Sequence, residues 1–240
     1  MIIGGLQKFS MLDYPEYLSA IIFTQGCNFR CQFCYNPMLV EPLLKIGETK
    51  NIEKGFSLIK ENDLFRFLKE RVGKLDGVVI TGGEPTIHND LEDFIKKIKD
   101  LNYLVKLDTN GTNSEVIEKL INKKLIDYIA MDVKAGENNY EKVIVKKIDF
   151  TKIKKSVKII KESGLNHEFR TTVIPGLVDK NEIEKIGKLI KGAEKWYLQN
   201  FKSDVDLINK KLENINSFTD KEMLEMKKIG KKYVSICEIR

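Results

Sequence analysis

Short runs of apolar and β-branched residues alternate along the chain with longer stretches in which apolar residues recur every three or four positions. The short runs predict strands over Leu18–Thr24, Gly77–Thr81, Tyr103–Asp108, Tyr128–Val133, Glu168–Ile174 and Lys195–Asn200, with a last one over Val234–Ile239. The periodic stretches predict helices over Asp63–Val72, Asp90–Leu101, Ser114–Lys123, Thr151–Ser163, Lys180–Lys191 and Asp220–Tyr233. Asn62 or Asp63, Asn113 or Ser114, and Thr219 or Asp220 stand where helix N-caps belong. Repeated strand–helix alternation implies the α/β class, with a parallel sheet and right-handed crossovers. The sheet could be an open doubly wound layer or a full or partial barrel. No Pro/Ser tract, repeat or low-complexity segment interrupts the pattern. A single domain over residues 1–240 is expected, with an N-terminal extension at 1–15, a core at 16–201 and a C-terminal helix–strand at 202–240. The one long stretch without periodicity, Asn36 to Lys60, reads as a site cover or partner surface.

The polar and glycine-rich residues are not scattered over this pattern. Cys27–Cys34 follow the first predicted strand, and Thr81-Gly82-Gly83-Glu84-Pro85 follows the second. Asp108-Thr109-Asn110-Gly111 ends the third, and Asp132-Val133-Lys134 ends the fourth. Ile174-Pro175-Gly176 and Gln199-Asn200 end the next two. All fall at the carboxyl ends of strands, the edge where parallel α/β folds place their chemistry. This registry points to one site.

At that edge, Cys27, Cys31 and Cys34 are spaced C-x3-C-x2-C, and the other cysteine, Cys237, is remote. Structural zinc sites are closed by four protein ligands, and four-iron electron-transfer clusters use four cysteines. Three thiolates on one loop can therefore hold a cluster that keeps one iron open to a small ligand. Phe29 and Phe33 would shield it. The alternative is a zinc knuckle whose fourth ligand is Cys237, His88 or His167, none of which has zinc-finger spacing.

Composition narrows the partners. The 240 residues include 41 basic and 35 acidic ones, for a net charge of +6, spread as Lys–Glu mixtures that suit solvated helix faces rather than a nucleic-acid groove. Met1–Leu6 lacks a secretory pattern, and no apolar run approaches a membrane span. The expectation is a cytoplasmic protein with reduced thiols.

The cysteine spacing, with the aromatic Phe33 just before Cys34, resembles the radical SAM superfamily signature, and Gly82-Gly83-Glu84-Pro85 resembles its GGEP element. The resemblance implies a partial (β/α)6 TIM-like barrel of the radical SAM type. It implies a [4Fe–4S] cluster on Cys27, Cys31 and Cys34, with S-adenosylmethionine (SAM) on the open iron. SAM contacts would come from Phe33, Tyr35, Gly82, Gly83, Glu84, Pro85, Asp132, Lys134 and Arg170. Within the superfamily, several segments are similar to activases of glycyl radical enzymes. Gly4–Ser10 with Asp13-Tyr14-Pro15, Phe23–Cys31 and Cys34-Tyr35-Asn36-Pro37 resemble the group that activates anaerobic ribonucleotide reductase. Pyruvate formate-lyase activases often place His where Tyr35 stands. Asp108, Thr109 and Asp132, with the Ala130 carbonyl as a weaker member, would form a monovalent cation site beside SAM. Gln199 and Asn200 are candidate substrate or SAM contacts.

The implied activity is reductive cleavage of SAM to a 5′-deoxyadenosyl radical, which takes hydrogen from a glycine of a partner enzyme. The implied partners are a glycyl radical enzyme and a reduced flavodoxin- or ferredoxin-type donor. Three alternatives stay open. One is a radical SAM enzyme for a pyruvate formate-lyase type partner, a small molecule or a peptide. Another is an iron–sulfur electron carrier or metal-binding module. The third is an RNA-modifying radical SAM protein.

Overall fold

Every predicted strand forms in the computed structural model, which describes residues 1–40 and 58–240, and no strand end moves by more than two residues. The stretch from Asn36 to Lys60 falls largely outside the described residues. Contacts divide the chain into two compact units, Met1–Asn28 with Met38–Thr109 and Glu115–Ile129, and Phe29–Pro37 with Asn110–Ser114 and Ala130–Arg240.

In the first unit β1 (Ile3–Ser10) runs antiparallel to β2 (Ser19–Thr24), and β2, β3 (Gly77–Gly82) and β4 (Leu104–Thr109) are parallel. β1 lies in the stretch expected as an extension. Its Gly4-Gly5 pair carries no alternating pattern, yet Gly5 lets the backbone close on the Phe23 ring, which a Cβ would meet at 3.4 Å. The helices are α1 (Glu61–Arg71), α2 (Leu91–Lys99) and most of α3 (Ser114–Asn122). α1 begins two residues before its predicted start. Its N-cap is Lys60, with no side-chain cap bond, rather than Asn62 or Asp63. Glu61 instead accepts the Lys97 ammonium at 2.7 Å. Leu64, Leu68, Phe94, Ile95 and Ile98 bury the helix faces. Tyr14, Ile21, Val79 and Tyr128 form an apolar cluster with Phe23 and Leu104. Tyr14 sits so close to Gly77 that a Cβ there would meet its ring at 2.9 Å.

The chain enters the second unit within β5 (Tyr128–Asp132) and continues through parallel β6 (Asn166–Val173), β7 (Lys195–Asn200) and β8 (Ile236–Ile239). Its helices are α4 (Glu137–Ile144), α5 (Phe150–Glu162), α6 (Lys180–Leu189) and α7 (Asp220–Gly230). α4 has no counterpart in the sequence reading. It is short and opens with Glu-Asn-Asn, and it forms because Tyr140, Val143 and Ile144 are buried. Thr219 caps α7 with a full capping box to Glu222. Trp196 is fully buried and donates its indole N–H to Thr171 Oγ1 at 3.0 Å. Cys237 packs so tightly on Gly230 that a Cβ there would lie 2.4 Å from its Sγ. Among the described residues no helix is long and apolar enough to cross a membrane.

Parallel register gathers the strand-end loops within each unit. Thr24 pairs with Gly82, and Ile80 with Leu107, so the loops after β2, β3 and β4 leave one edge of the first unit. Val173 pairs with Asn200, so the loops after β6 and β7 do the same in the second.

Candidate functional site

In the first unit, the loop after β3 is stapled to the residues just before Cys27. Gly83 N–H donates to Thr24 O at 2.9 Å, and Glu84 N–H donates to Gly26 O at 2.8 Å. Gly26 N–H donates to Leu39 O at 2.7 Å. The two glycines are required by this approach. Gly82 has φ +112°, and a Cβ on Gly83 would lie 2.0 Å from the Gly26 carbonyl oxygen. Glu84 is 1 % exposed, and its carboxylate accepts from Thr86 N–H, Thr86 Oγ1 and Thr109 Oγ1. That carboxylate holds the turn at Pro85–Ile87 and ties it to the end of β4. The side chain of Glu84 is thus a brace for this turn.

In the second unit, the cysteine loop rests on the end of α4. Arg30 N–H donates to Ile144 O at 2.9 Å and Gln32 N–H to Val143 O at 3.2 Å. These are helix C-terminal carbonyls that need partners from outside the helix. Val145, the C-cap, takes a left-handed conformation with φ 52°. Asn209 adds two bonds to Gln32, one from its backbone N–H and one from its amide. Phe29 and Phe33 are buried, and Phe29 meets Tyr140 edge-on. Cys31 is buried and Cys34 half-buried, and neither they nor Cys27 forms a disulfide. Burial pushes the Cys34 thiol up, while the Asn36 backbone and the charges of Lys134 and Arg30 pull it back toward the thiolate. Tyr35 follows, its hydroxyl accepting from Lys202 N–H at 2.9 Å and its ring stacked on Phe201.

Next to this loop stands a charge network. Arg170 Nε donates to Asp132 Oδ1 at 3.0 Å, and Lys134 Nζ lies 3.2 Å from Asp132 Oδ2. Lys134 also sits 5.7 Å above the Phe33 ring centroid. Burial alone would raise the Asp132 pKa, but the Arg170 and Lys134 charges overcome it and hold it at about 2. Burial alone would lower the Lys134 pKa, but Asp132 and the Cys31 sulfur hold it above the ordinary lysine value. Behind them, fully buried Glu168 is paired with Arg240 at 3.1 Å and lies 3.9 Å from Arg170. Arg170, Lys134 and Arg240 thus stand among the carboxylates of Asp132 and Glu168.

The structure splits the Gln199–Asn200 pair. Strand alternation puts Gln199 on the face of Tyr197, whose register partner is Arg170. Asn200 falls on the face of buried Trp196 and Leu198, where its amide donates to Phe218 O at 3.0 Å. Asp108, at the end of β4, lies 2.9 Å from Lys106 Nζ. Sequence reasoning passed over Lys106. Its signal was a charged residue inside the apolar strand Leu104-Val105-Lys106-Leu107, two positions before an Asp and hence on the same face.

The donor set fits an iron–sulfur cluster. Three thiols outside any disulfide lie on one loop, with buried aromatics and two cations beside Cys34. Of the three candidate fourth ligands for zinc, Cys237 is buried beside Gly230, and His167 and His88 each have one ring nitrogen bonded to backbone, to Leu165 O at 2.8 Å and to Gln25. Among the described residues no three His, Cys, Asp or Glu side chains gather to hold a single metal ion.

Comparison with known proteins agrees with this chemistry. Residues 21–190 match the family model of the radical SAM superfamily. A protein of Methanocaldococcus jannaschii, named as a glycyl-radical enzyme activating enzyme, is 35% identical over 245 residues, covering 100% of this chain and 95% of its own. The pyruvate formate-lyase-activating enzyme of Clostridium pasteurianum is 27% identical over 79% of this chain and 76% of its own. Among solved structures, Streptococcus suis SuiB bound to its precursor peptide SuiA superposes with a TM-score of 0.62 at 14% identity, over 92% of this chain and 48% of that one. Such structures share the α/β fold with its parallel strands. The chain belongs to the radical SAM superfamily, an enzyme family whose cofactors are a [4Fe–4S] cluster and SAM.

Proposed function

We propose that this protein is a radical SAM activase that generates a glycyl radical on a partner enzyme, acting in the cytoplasm with a reduced flavodoxin- or ferredoxin-type donor. The observation that carries the reading is the 35% identity with the Methanocaldococcus jannaschii protein named for that activity, which extends over the whole chain. When bound, the cluster would supply the electron and SAM the radical chemistry needed to take hydrogen from a glycine Cα. In this reading Cys27, Cys31 and Cys34 hold the cluster. The backbone of Gly82–Pro85 receives the SAM amino group, and Lys134 and Arg170 receive its carboxylate. Phe33 shields the cluster, and Tyr35 braces the loop beside it. Gln199, on the Arg170 face, is a contact for SAM or substrate, whereas Asn200 serves the fold.

The partner we propose is an anaerobic ribonucleotide reductase, supported by the likeness of Gly4–Ser10, Asp13–Pro15 and Cys34–Pro37 to that activase group. The Clostridium pasteurianum relative favours a second reading, a pyruvate formate-lyase type partner. The test is anaerobic reconstitution of the cluster, reduction, and addition of SAM with each partner enzyme in turn. Release of 5′-deoxyadenosine with a glycyl radical signal in electron paramagnetic resonance is the expected result. Cleavage of SAM with no radical on either partner would remove the activase reading and leave a small-molecule or peptide substrate.

A further inference from the structure

We propose that Lys106 is a built-in counter-cation for Asp108, so that SAM binds here without a monovalent metal ion. The inference rests on SAM occupying this strand edge, as the family assignment requires. Leu104, Lys106 and Asp108 alternate along β4 and share a face. Leu104 packs against the apolar cluster of Tyr14, Ile21, Val79 and Tyr128. From that floor the Lys106 side chain, 2 % exposed, carries its ammonium to 2.9 Å from Asp108 Oδ1 at the end of the strand. The Tyr128 ring lies 5.8 Å from the same nitrogen and adds its π face.

A lysine is not placed at this depth by packing, since burying an ammonium is unfavourable unless a carboxylate meets it. A carboxylate at the edge needs a positive partner for the same reason. Lysine is a compact point charge on a flexible stem, so it delivers to Asp108 the single charge that a bound monovalent ion would. Oxygen ligands suit a hard cation, but a second cation brought to Asp108 would face the ammonium already there. Asp108, one of the residues expected to bind a cation, is therefore already faced by a cation of its own strand.

The test measures SAM affinity of the cluster-loaded protein at fixed ionic strength in sodium, potassium or N-methylglucamine chloride. For the unaltered protein, affinities within about twofold of one another are expected, far below the coupling of an obligatory effector. For Lys106→Met, a loss of about tenfold in N-methylglucamine that sodium or potassium largely restores is expected. A tenfold or greater drop for the unaltered protein in N-methylglucamine would overturn the proposal. So would a Lys106→Met protein that binds SAM normally in every salt. The first arm needs no variant, so it decides even if Lys106→Met fails to fold. Absence of SAM binding in all salts would overturn the SAM assignment itself, and the proposal with it.

Discussion

The Thr109 hydroxyl donates to the Glu84 carboxylate at 2.7 Å, and so ties the loop after β3 to the last residue of β4. The bond is buried, and the same carboxylate holds Thr86 by its backbone and its hydroxyl. One acidic side chain thus sets the path of the Gly82–Pro85 backbone, the segment proposed above to receive the SAM amino group.

Replacing Thr109 by Val keeps the shape and removes the donor. Loss of one hydrogen bond to a buried charged group is expected to cost about 1.5–3 kcal/mol. Thermal unfolding should move down by several degrees, while Thr109→Ser should stay near the parent. Iron content should be unaffected, because Thr109 is not among the residues proposed to hold the cluster. A Thr109→Val protein that melts with the parent would show that this bond is not a brace.

Gly83 and Gly164 give opposite expectations for the same substitution. At Gly83 a Cβ would lie 2.0 Å from backbone oxygen, so Gly83→Ala must push the loop away from Gly26. SAM affinity should fall by tenfold or more, roughly the effect of misplacing a positioned group by an ångström. At Gly164 nothing lies within 4 Å of a Cβ, and only the φ of +71° resists. Gly164→Ala should cost about 1–2 kcal/mol of stability through backbone strain and leave SAM binding intact. Isothermal titration with SAM, paired with denaturation, separates the two cases.

The cysteines should divide by role. Cys31→Ser should lose iron and sulfide on reconstitution while keeping the far-ultraviolet circular dichroism of the parent. Cys237 is fully buried, and burial with the nearby Glu238 pushes its thiol up to about 11, so it behaves as a small apolar residue. Cys237→Ser should bind iron like the parent but lose about 1–3 kcal/mol by placing a hydroxyl against Trp196 and Gly230. Loss of iron from Cys237→Ser with the fold intact would revive a four-cysteine site.

Much of this arrangement was legible in the sequence because it follows from local rules. Each of β2 to β8 announces itself by a run such as Val78-Val79-Ile80, and Thr219 and Glu222 spell out a capping box. The strand-end registry of Gly82, Asp108 and Asp132 was legible too, since it needs only the strand boundaries. What was hidden depends on tertiary contact. β1 carries two glycines and becomes a strand only by pairing with β2. α4 is a poor helix by composition and forms on the burial of Tyr140, Val143 and Ile144. The division between Gln199 and Asn200, and the pairing of Lys106 with Asp108, appear only once strand faces are known.

The depressed pKa of Asp132 makes a prediction about acid. The group sits at about 2 in the folded protein against about 3.9 in an unfolded chain. A carboxylate whose pKa is lowered by folding contributes stability that is fully present above the unfolded value. That contribution fades as pH falls from about 4 toward 2. For a side chain 24 % exposed, the contribution is on the order of 2 kcal/mol near neutrality. Asp132→Asn should therefore be less stable than the parent at pH 7 by at least that order, because Arg170 and Lys134 are then left facing each other without their carboxylate. The gap should persist at pH 5 and narrow by pH 3, where the parent begins to lose the same charge. Urea midpoints of the cluster-free chains at the three pH values measure it, cluster-free because acid would strip the iron. A gap that stays constant down to pH 3 would mean that Asp132 is held by packing rather than by its two cations. The role proposed for Arg170 and Lys134 at the SAM carboxylate would then lose its electrostatic support.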